Sequence, residues 1–350
     1  MKHSIPYLKF RRKKLGMLCF WILVVMYLSF IFEGFLAPYQ PNTKFKSKSY
    51  QPPHAIHLIH EGKFIGPFVY EYEMANPFYK KYRTDRTVIH KLSLFVKGDD
   101  YRLFGLIPSH THLFGTKDGA PVFLLGADRL GRDMLSRIIC GAKISLTIGF
   151  VSILTALLGG ILIGGISGYI GGMTDWSIMR FCEVIILLPT FYFFLFLRSI
   201  LPADITPGQK FFFITLILAI PSWAGSARGI RNWVLSLKNA DYVTAAKLSG
   251  VKSLPILLRH IIPQIRSILI LDITLSVPGV ILGEAGLSFL NLGITEPSVS
   301  WGMLMSAAMD INVLKQYPWV LWPAFVIILT VFCFFTLGYS LKDAFDPKAM

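Results

Sequence analysis

Asn239–Gln264 reads NADYVTAAKLSGVKSLPILLRHIIPQ, the longest polar, basic segment lying between hydrophobic runs in the second half of the chain. The spacing predicts two short helices with a bend. Asn239 or Asp241 can cap the first helix, Ala245 and Ala246 are strong helix formers, and Gly250 offers the left-handed residue that ends it. Pro255 suits the first turn of a second helix, where its missing N–H costs nothing, and Pro263 stops that helix. Val243, Ala246 and Leu248, with Leu254, Leu257, Leu258 and Ile261, give the pair an apolar side. Lys238, Lys247, Lys252, Arg259 and His260 supply a basic rim. Taken locally, the pair fits an interfacial loop whose cations only obey the positive-inside rule. It also fits the turn of a DNA-binding helix-turn-helix. What surrounds it decides.

The 350 residues are 53% hydrophobic and 14% aromatic, with mean hydropathy +0.55. That is too apolar for an ordinary soluble domain. The apolar residues fall into runs long enough to span a bilayer, which takes about 20 residues per helix. Four cysteines lie in or beside those runs without paired spacing, which argues against a disulfide framework. A formal charge of +15 could mean nucleic acid, but in a membrane protein loop charges that set orientation are the commoner cause.

Lys9, Arg11, Arg12, Lys13 and Lys14 precede an uncharged run from Leu15 to Phe32. No small-residue cleavage site follows, so the run is expected to be a retained first membrane helix rather than a signal peptide. Residues 1–14 are then a basic cytoplasmic N-terminus, 15–36 the first span, and 37–140 a polar extracytoplasmic segment without a spanning run. Six of the eight histidines sit in that segment. His54, His57 and His60 with Glu61, or His110 with His112, invite a metal site. Zinc needs four ligands on a fixed scaffold, and Gln51-Pro52-Pro53 marks irregular chain beside them, so no metal is expected.

Further runs are Ile144–Ile170, Val184–Leu197, Phe211–Ala224 with Pro221, Ile268–Leu290 with Asp272, Pro278 and Glu284, and Trp319–Leu341 with Pro323. They make residues 141–341 a five-helix core enclosing the loop 228–266, with 342–350 as a cytoplasmic tail. Gly160, Gly164 and Gly168 recur at four-residue spacing, as close helix packing inside a bilayer favours. Arg180 and Glu183 are placed to pair. The fold class expected is therefore an all-α polytopic membrane protein with six transmembrane helices and a large external loop after the first. Six crossings from an inside N-terminus put the bent helix pair and the C-terminus in the cytoplasm. Charge agrees: seven Lys or Arg lie between Arg228 and Arg266, against the single acid Asp241.

The string Asp241-Tyr242-Val243-x-Ala245-Ala246, then Gly250, Arg259-His260-Ile261 and Pro263, resembles the EAA loop of ABC importer permeases, in particular the dipeptide/oligopeptide/nickel family. Thr244 stands where Glu or Gln is usual there, and Pro255 interrupts the linker. Leu125-Gly-Ala-Asp-Arg-Leu-Gly-Arg-Asp133 with Ser136-Arg137 is similar to the LGTDxLGRDxxSR signature of that family, with Ala127 for Thr. Glu284–Gly293 resembles EAxLSFLGLG with Asn291 for Gly, Ser300–Leu304 resembles SWGxML, and Lys342–Pro347 resembles RDALDP.

The resemblance implies a permease subunit with no catalysis of its own, half of a translocation pathway for peptides, nickel or oligosaccharides. Asp241, Tyr242, Ala245, Ala246, Gly250, Arg259, His260 and Pro263 would form a coupling helix docked on an ATPase. It implies a second permease subunit, two ATP-binding subunits, an external substrate-binding protein, and the bacterial inner membrane as location. No cofactor is expected in this chain. It has no G-x4-G-K-[ST] phosphate loop, so ATP would be used by the partner ATPase subunits. Glu284 and Asp272 are candidates for the pathway, because intramembrane carboxylates are functional hypotheses by default. Glu284 lies in the family-like string and is expected to matter more for uptake than Asp272, which has no counterpart in it. The rival readings are a membrane-tethered regulator whose segment 239–264 binds DNA, and an intramembrane enzyme, for which no H-E-x-x-H or paired intramembrane aspartates are present.

Overall fold

A computed structural model describes residues 5–103, 106–200, 202 and 205–345. Asp346 and Pro347, the last positions of the tail resemblance, lie outside the described residues. The chain divides into two compact units. One comprises Met1–Leu23, Thr147–Glu284 and Leu329–Met350, the other Val24–Leu146 and Ala285–Ile328.

The expected spans are present as helices. We number α1 Lys14–Ile31, α2 Met134–Ile170, α3 Gly172–Leu187, α4 Thr190–Ile200, α5 Pro207–Leu237, α6 Asp241–Leu248, α7 Ser253–Ile256, α8 Arg266–Phe289 and α9 Trp322–Phe345. Among the described residues five helices are long and apolar enough to cross a membrane, and a sixth crossing results if the bent pair α3–α4 counts as one. The protein is thus a multi-pass membrane protein, as expected.

The third run differs from the reading as one helix. Gly172–Leu187 and Phe191–Leu197 are bent by 96°. The cause is local: Leu188 precedes Pro189, and proline pushes the preceding residue out of the helical region, here to φ −66°, ψ 129°. The fourth run is longer than its uncharged part. Thr206 and Gln209 form a capping box, Pro207 occupies the first turn, and the helix runs on past Ala224 through Arg228 and Arg231 to Leu237. Arg231 is tolerated because Asp175 of α3 pairs with it. Its Nε donates to Asp175 Oδ1 at 2.9 Å, and Ser167 Oγ donates to the same oxygen at 2.5 Å.

Helices α2 and α5 meet along the glycine face. A Cβ on Gly164 would stand 2.1 Å from the Ala227 carbonyl oxygen, and one on Gly168 would stand 2.8 Å from that of Arg231. Only glycine lets two backbones approach so closely.

Residues 57–116 hold what the sequence reading did not anticipate. Four antiparallel strands, β1 His57–His60, β2 Lys63–Asn76, β3 Lys81–Leu103 and β4 Ile107–Thr116, form one sheet in sequential order. The otherwise helical fold therefore carries a β insertion in the segment between the first two spans. Glu61 and Gly62 both adopt positive φ, 48° and 77°, as a two-residue hairpin turn demands. The 23-residue β3 pairs with β2 through its first half and with β4 through its second. The alternation Val69-Tyr-Glu-Tyr-Glu-Met74 was the available signal.

The histidines of this segment serve the sheet. Burial pushes His54 down to about 4, and its Nδ1 accepts from the Phe123 N–H at 3.0 Å. His57 and His60 lie against the rings of Phe68 and Tyr70. Both ring nitrogens of His90 reach carboxylates, Glu71 at 2.7 Å and Asp118 at 2.5 Å. Burial opposes the charge on His90, but these two hydrogen bonds outweigh it and hold its pKa above the ordinary value.

The Leu125–Arg137 string folds around Asp128. Its Oδ1 accepts from the N–H groups of Leu130 and Arg132 at 2.8 and 2.9 Å, and its Oδ2 accepts from Arg132 Nε at 2.7 Å and from Arg137 Nη1. Asp133 accepts from Ser136 N–H at 2.7 Å in the manner of a helix N-cap, and its burial pushes it up to about 6. Asp128 is thus a structural ion pair with two arginines, whereas Asp133 caps the helix and keeps its Oδ1 buried without a hydrogen bond. The further partner of Arg132, Glu296 at 2.8 Å, had no signal in the sequence, since it stands far along the chain.

Candidate coupling site

The bent helix pair forms, with its ends changed. Helix α6 begins at Asp241, but neither Asn239 nor Asp241 caps it. Ala240 occupies the N-cap position without a side-chain hydrogen bond. Asp241 is instead the first helical residue, where a carboxylate favours the positive end of the helix dipole. At the other end the expectation holds in detail. Gly250 has φ +77°, its N–H donates to Lys247 O at 3.0 Å, and the Val251 N–H donates to Ala246 O at 3.1 Å. This pair of bonds is a Schellman closure, which needs a left-handed residue at that position.

Pro255 falls in the first turn of α7, after Lys252 as N-cap. Pro263 does not stop the second helix. Leu257–Ile261 widens to π geometry, Ile262–Ile265 tightens to a 3-10 turn with Pro263 at its start, and α8 follows at Arg266. Ser253–Phe289 is consequently one continuous helical stretch of 37 residues, long and apolar enough to contain a membrane crossing. A proline removes one N–H donor and crowds the carbonyl four residues back. The change of hydrogen-bond register upstream absorbs both effects, so the chain keeps its direction.

Burial splits the pair into two faces. Val243, Ala246, Ile256, Leu257, Ile261 and Ile265 enter a core with Leu157 of α2 and Ile230 and Val234 of α5. The opposite face stays open: Leu248 is 84% exposed and Leu254 52%, with Val251 and Leu258 also exposed. The expected single apolar side is therefore two, because Leu248, Leu254 and Leu258 point away from the core that takes Val243 and Leu257. Lys247, Lys252 and Arg259 are exposed around the open face. Lys247 Nζ sits 5.4 Å from the centre of the Tyr169 ring and donates to Lys238 O at 3.3 Å.

Of the predicted coupling residues, Asp241, Tyr242, Ala245, Gly250, Arg259 and Pro263 are exposed, His260 is half-buried and Ala246 is buried in the core. The eight are spread along the bent pair: four on α6, Gly250 in the turn after it, Arg259 and His260 in the π segment and Pro263 in the 3-10 turn. The structure does not bring the two intramembrane carboxylates together. Asp272 and Glu284 both lie on α8, twelve residues or ~18 Å apart along the axis. Glu284 is fully buried and Asp272 half-buried.

The second half of a DNA-reading pair would need to be a free recognition helix. Here it continues without a break into a membrane span, which removes that reading.

Comparison with known proteins agrees with this architecture. Residues 160–350 match the model of the binding-protein-dependent transport system inner membrane component family, and residues 7–53 match that of the N-terminal TM domain of oligopeptide transport permease C. The oligopeptide transport system permease protein OppC of Haemophilus influenzae is 41% identical over 227 residues, covering 64% of this chain and 70% of that one. The dipeptide transport system permease protein DppC of Bacillus subtilis is 38% identical over 244 residues, 69% of this chain and 71% of that one. OppC of Escherichia coli K12 is 38% identical over 224 residues, 64% and 72%. With more than half of its length matched and this helical plan, the chain belongs to the family of binding-protein-dependent transport system inner membrane components, a family of transport permeases.

Proposed function

We propose that this permease subunit carries peptides, that an ATPase subunit docks on the open face of the bent helix pair, and that ATP is hydrolysed by that partner. The observation that carries the docking site is the exposure of Leu248, Val251, Leu254 and Leu258 on an element whose other face is locked into the core. Large apolar side chains ringed by cations, at the end of a membrane bundle, are what a buried protein interface leaves bare in the free subunit. The peptide substrate rests on the relatives, which are oligopeptide and dipeptide transport permeases. A second permease subunit, two ATP-binding subunits and an external substrate-binding protein complete the assembly.

The coupling follows from the packing. A push on the open face moves Ile256, Leu257 and Ile261, which touch α2 and α5. The unbroken stretch Ser253–Phe289 carries the same displacement into α8. Close-packed contacts transmit such a shift rather than absorbing it.

Leu248→Asp tests the docking surface. The side chain is exposed, so the subunit should accumulate normally, while a carboxylate in the contact should lower ATPase co-purification and ATP-dependent peptide uptake about tenfold or more. Normal retention of the ATPase would refute the site.

On this reading both termini lie in the cytoplasm and the sheet outside. Ser47 and Ser253 are both exposed. Single cysteines at the two positions should react with an impermeant thiol reagent from opposite sides of the membrane. Labelling of both from one side would overturn this orientation.

A further inference from the structure

Within the unit that holds the bent helix pair, a cavity of about 550 Å³ opens between α5 and α8. Its wall is mostly apolar, with Ser222, Ser226 and Ser276 as hydroxyls and Gly225 and Gly279 facing open space. Among the described residues Asp272 is the one ionisable side chain on that wall. It lies six residues beyond Arg266, the first residue of α8, or ~9 Å along the helix axis.

The surroundings do not balance a carboxylate. Ser226 Oγ donates to Asp272 Oδ2 at 3.4 Å, a long contact, and Ser222 Oγ spends its proton on Leu218 O at 3.1 Å. Among the described residues no Lys, Arg or His lines the cavity. A charge inside a membrane span is costly unless a counter-charge or water meets it, and such groups mark substrate or ion pathways. Two cations of this unit, Arg231 and Lys13, pair with other carboxylates, Asp175 and Asp343.

We propose that Asp272 is a counter-charge for a protonated amine of the cargo as it passes this cavity, so that the lumen favours cationic peptides; this rests on the reading of the chain as a peptide permease. The three hydroxyls and the open glycine positions leave room and hydrogen-bonding partners for an ammonium group, while the apolar remainder makes its passage expensive without Asp272. The carboxylate lowers that barrier for cationic cargo and leaves a neutral side chain unaffected. Uptake of cargo without the amine should survive Asp272→Asn nearly intact.

The test uses the assembled transporter in proteoliposomes with saturating peptide-loaded binding protein. Initial ATP-dependent uptake of trialanine, Ala-Lys-Ala, Ala-(acetyl-Lys)-Ala and N-acetyl-trialanine is compared in wild type and Asp272→Asn. A side-chain amine as the ligand predicts a loss of about tenfold for Ala-Lys-Ala alone. An α-amine predicts the same loss for every peptide with a free N-terminus, with N-acetyl-trialanine spared. Asp272→Glu should restore either pattern. Equal loss for all four peptides, or no change in any, overturns the proposal. Should the asparagine variant fail to accumulate, Asp272→Ser, which removes the carboxylate and leaves a smaller hydroxyl side chain, gives the same reading. Failure of the wild-type complex to move any of the peptides would instead count against the peptide substrate and leave its signature distinct from that of Asp272.

Discussion

Gly250→Val should leave the protein inserted and abundant while uptake falls about tenfold or more and the ATPase co-purifies poorly. Nothing lies within 4 Å of where a Cβ would stand, so the substitution creates no clash. Its effect comes from the backbone: φ is +77°, a region that a β-branched residue occupies only at a cost of about 1–3 kcal/mol. Relieving that strain breaks the two hydrogen bonds from Gly250 and Val251 to the end of α6 and tilts α7 away from it. Leu248 and Leu254, one on each side of the turn, then no longer present one surface. The membrane helices do not depend on this turn, which is why accumulation should survive. Measuring uptake and ATPase co-purification in the same strain decides the matter. Normal values for both would mean that the segment is only a loop.

Gly164→Val should do the opposite and remove the protein itself. A Cβ there stands 2.1 Å from the carbonyl oxygen of Ala227, and the obstacle is helix backbone, which cannot rotate aside. Overpacking a rigid contact costs about 1–3 kcal/mol where side chains can yield, and more where they cannot. Helices α2 and α5 would have to part, which exposes Ala227 and Val234 and unseats the core under the bent pair. The expected result is a large fall in membrane-inserted, detergent-stable subunit on an immunoblot. Gly229→Ala is the control. It lies on α5, a Cβ there meets nothing within 4 Å, and replacing a helix glycine by alanine is favourable by about 0.5–1 kcal/mol. Equal abundance of the Gly164→Val and Gly229→Ala proteins would refute the close approach of the two helices.

These two glycines lie at the two ends of what a sequence can reveal. Each carries its signal locally. Gly250 follows a helix-forming stretch at the place where a left-handed residue closes the last turn, and its partners Ala246 and Lys247 are within four residues. Gly164 belongs to a four-residue repeat that marks a face, although the repeat does not say which helix it meets. The spans are legible for a similar reason. Hydrocarbon imposes length and apolarity on every crossing helix, whatever its neighbours.

What depended on distant partners was not legible. The sheet arises from strands whose pairing is chosen by the register of whole segments, and the polar, tyrosine-rich stretch 57–116 carries only a broken alternation. Glu296 joins Arg132 across more than 160 residues. Whether Pro263 ends a helix or only changes its hydrogen-bond spacing was settled by packing, because Ile261 and Ile265 on either side of it are both held in the core. The same holds for Leu257 and Leu254, alike in type and three residues apart, one 2% and the other 52% exposed. Sequence by itself determined the membrane architecture, the bend at Gly250 and the kinship with transport permeases, since these rest on contacts within a turn or on the solvent the chain must satisfy. Only the tertiary structure decided which leucines are left bare and that Asp272 faces a cavity, because burial is a property of what the rest of the fold brings alongside.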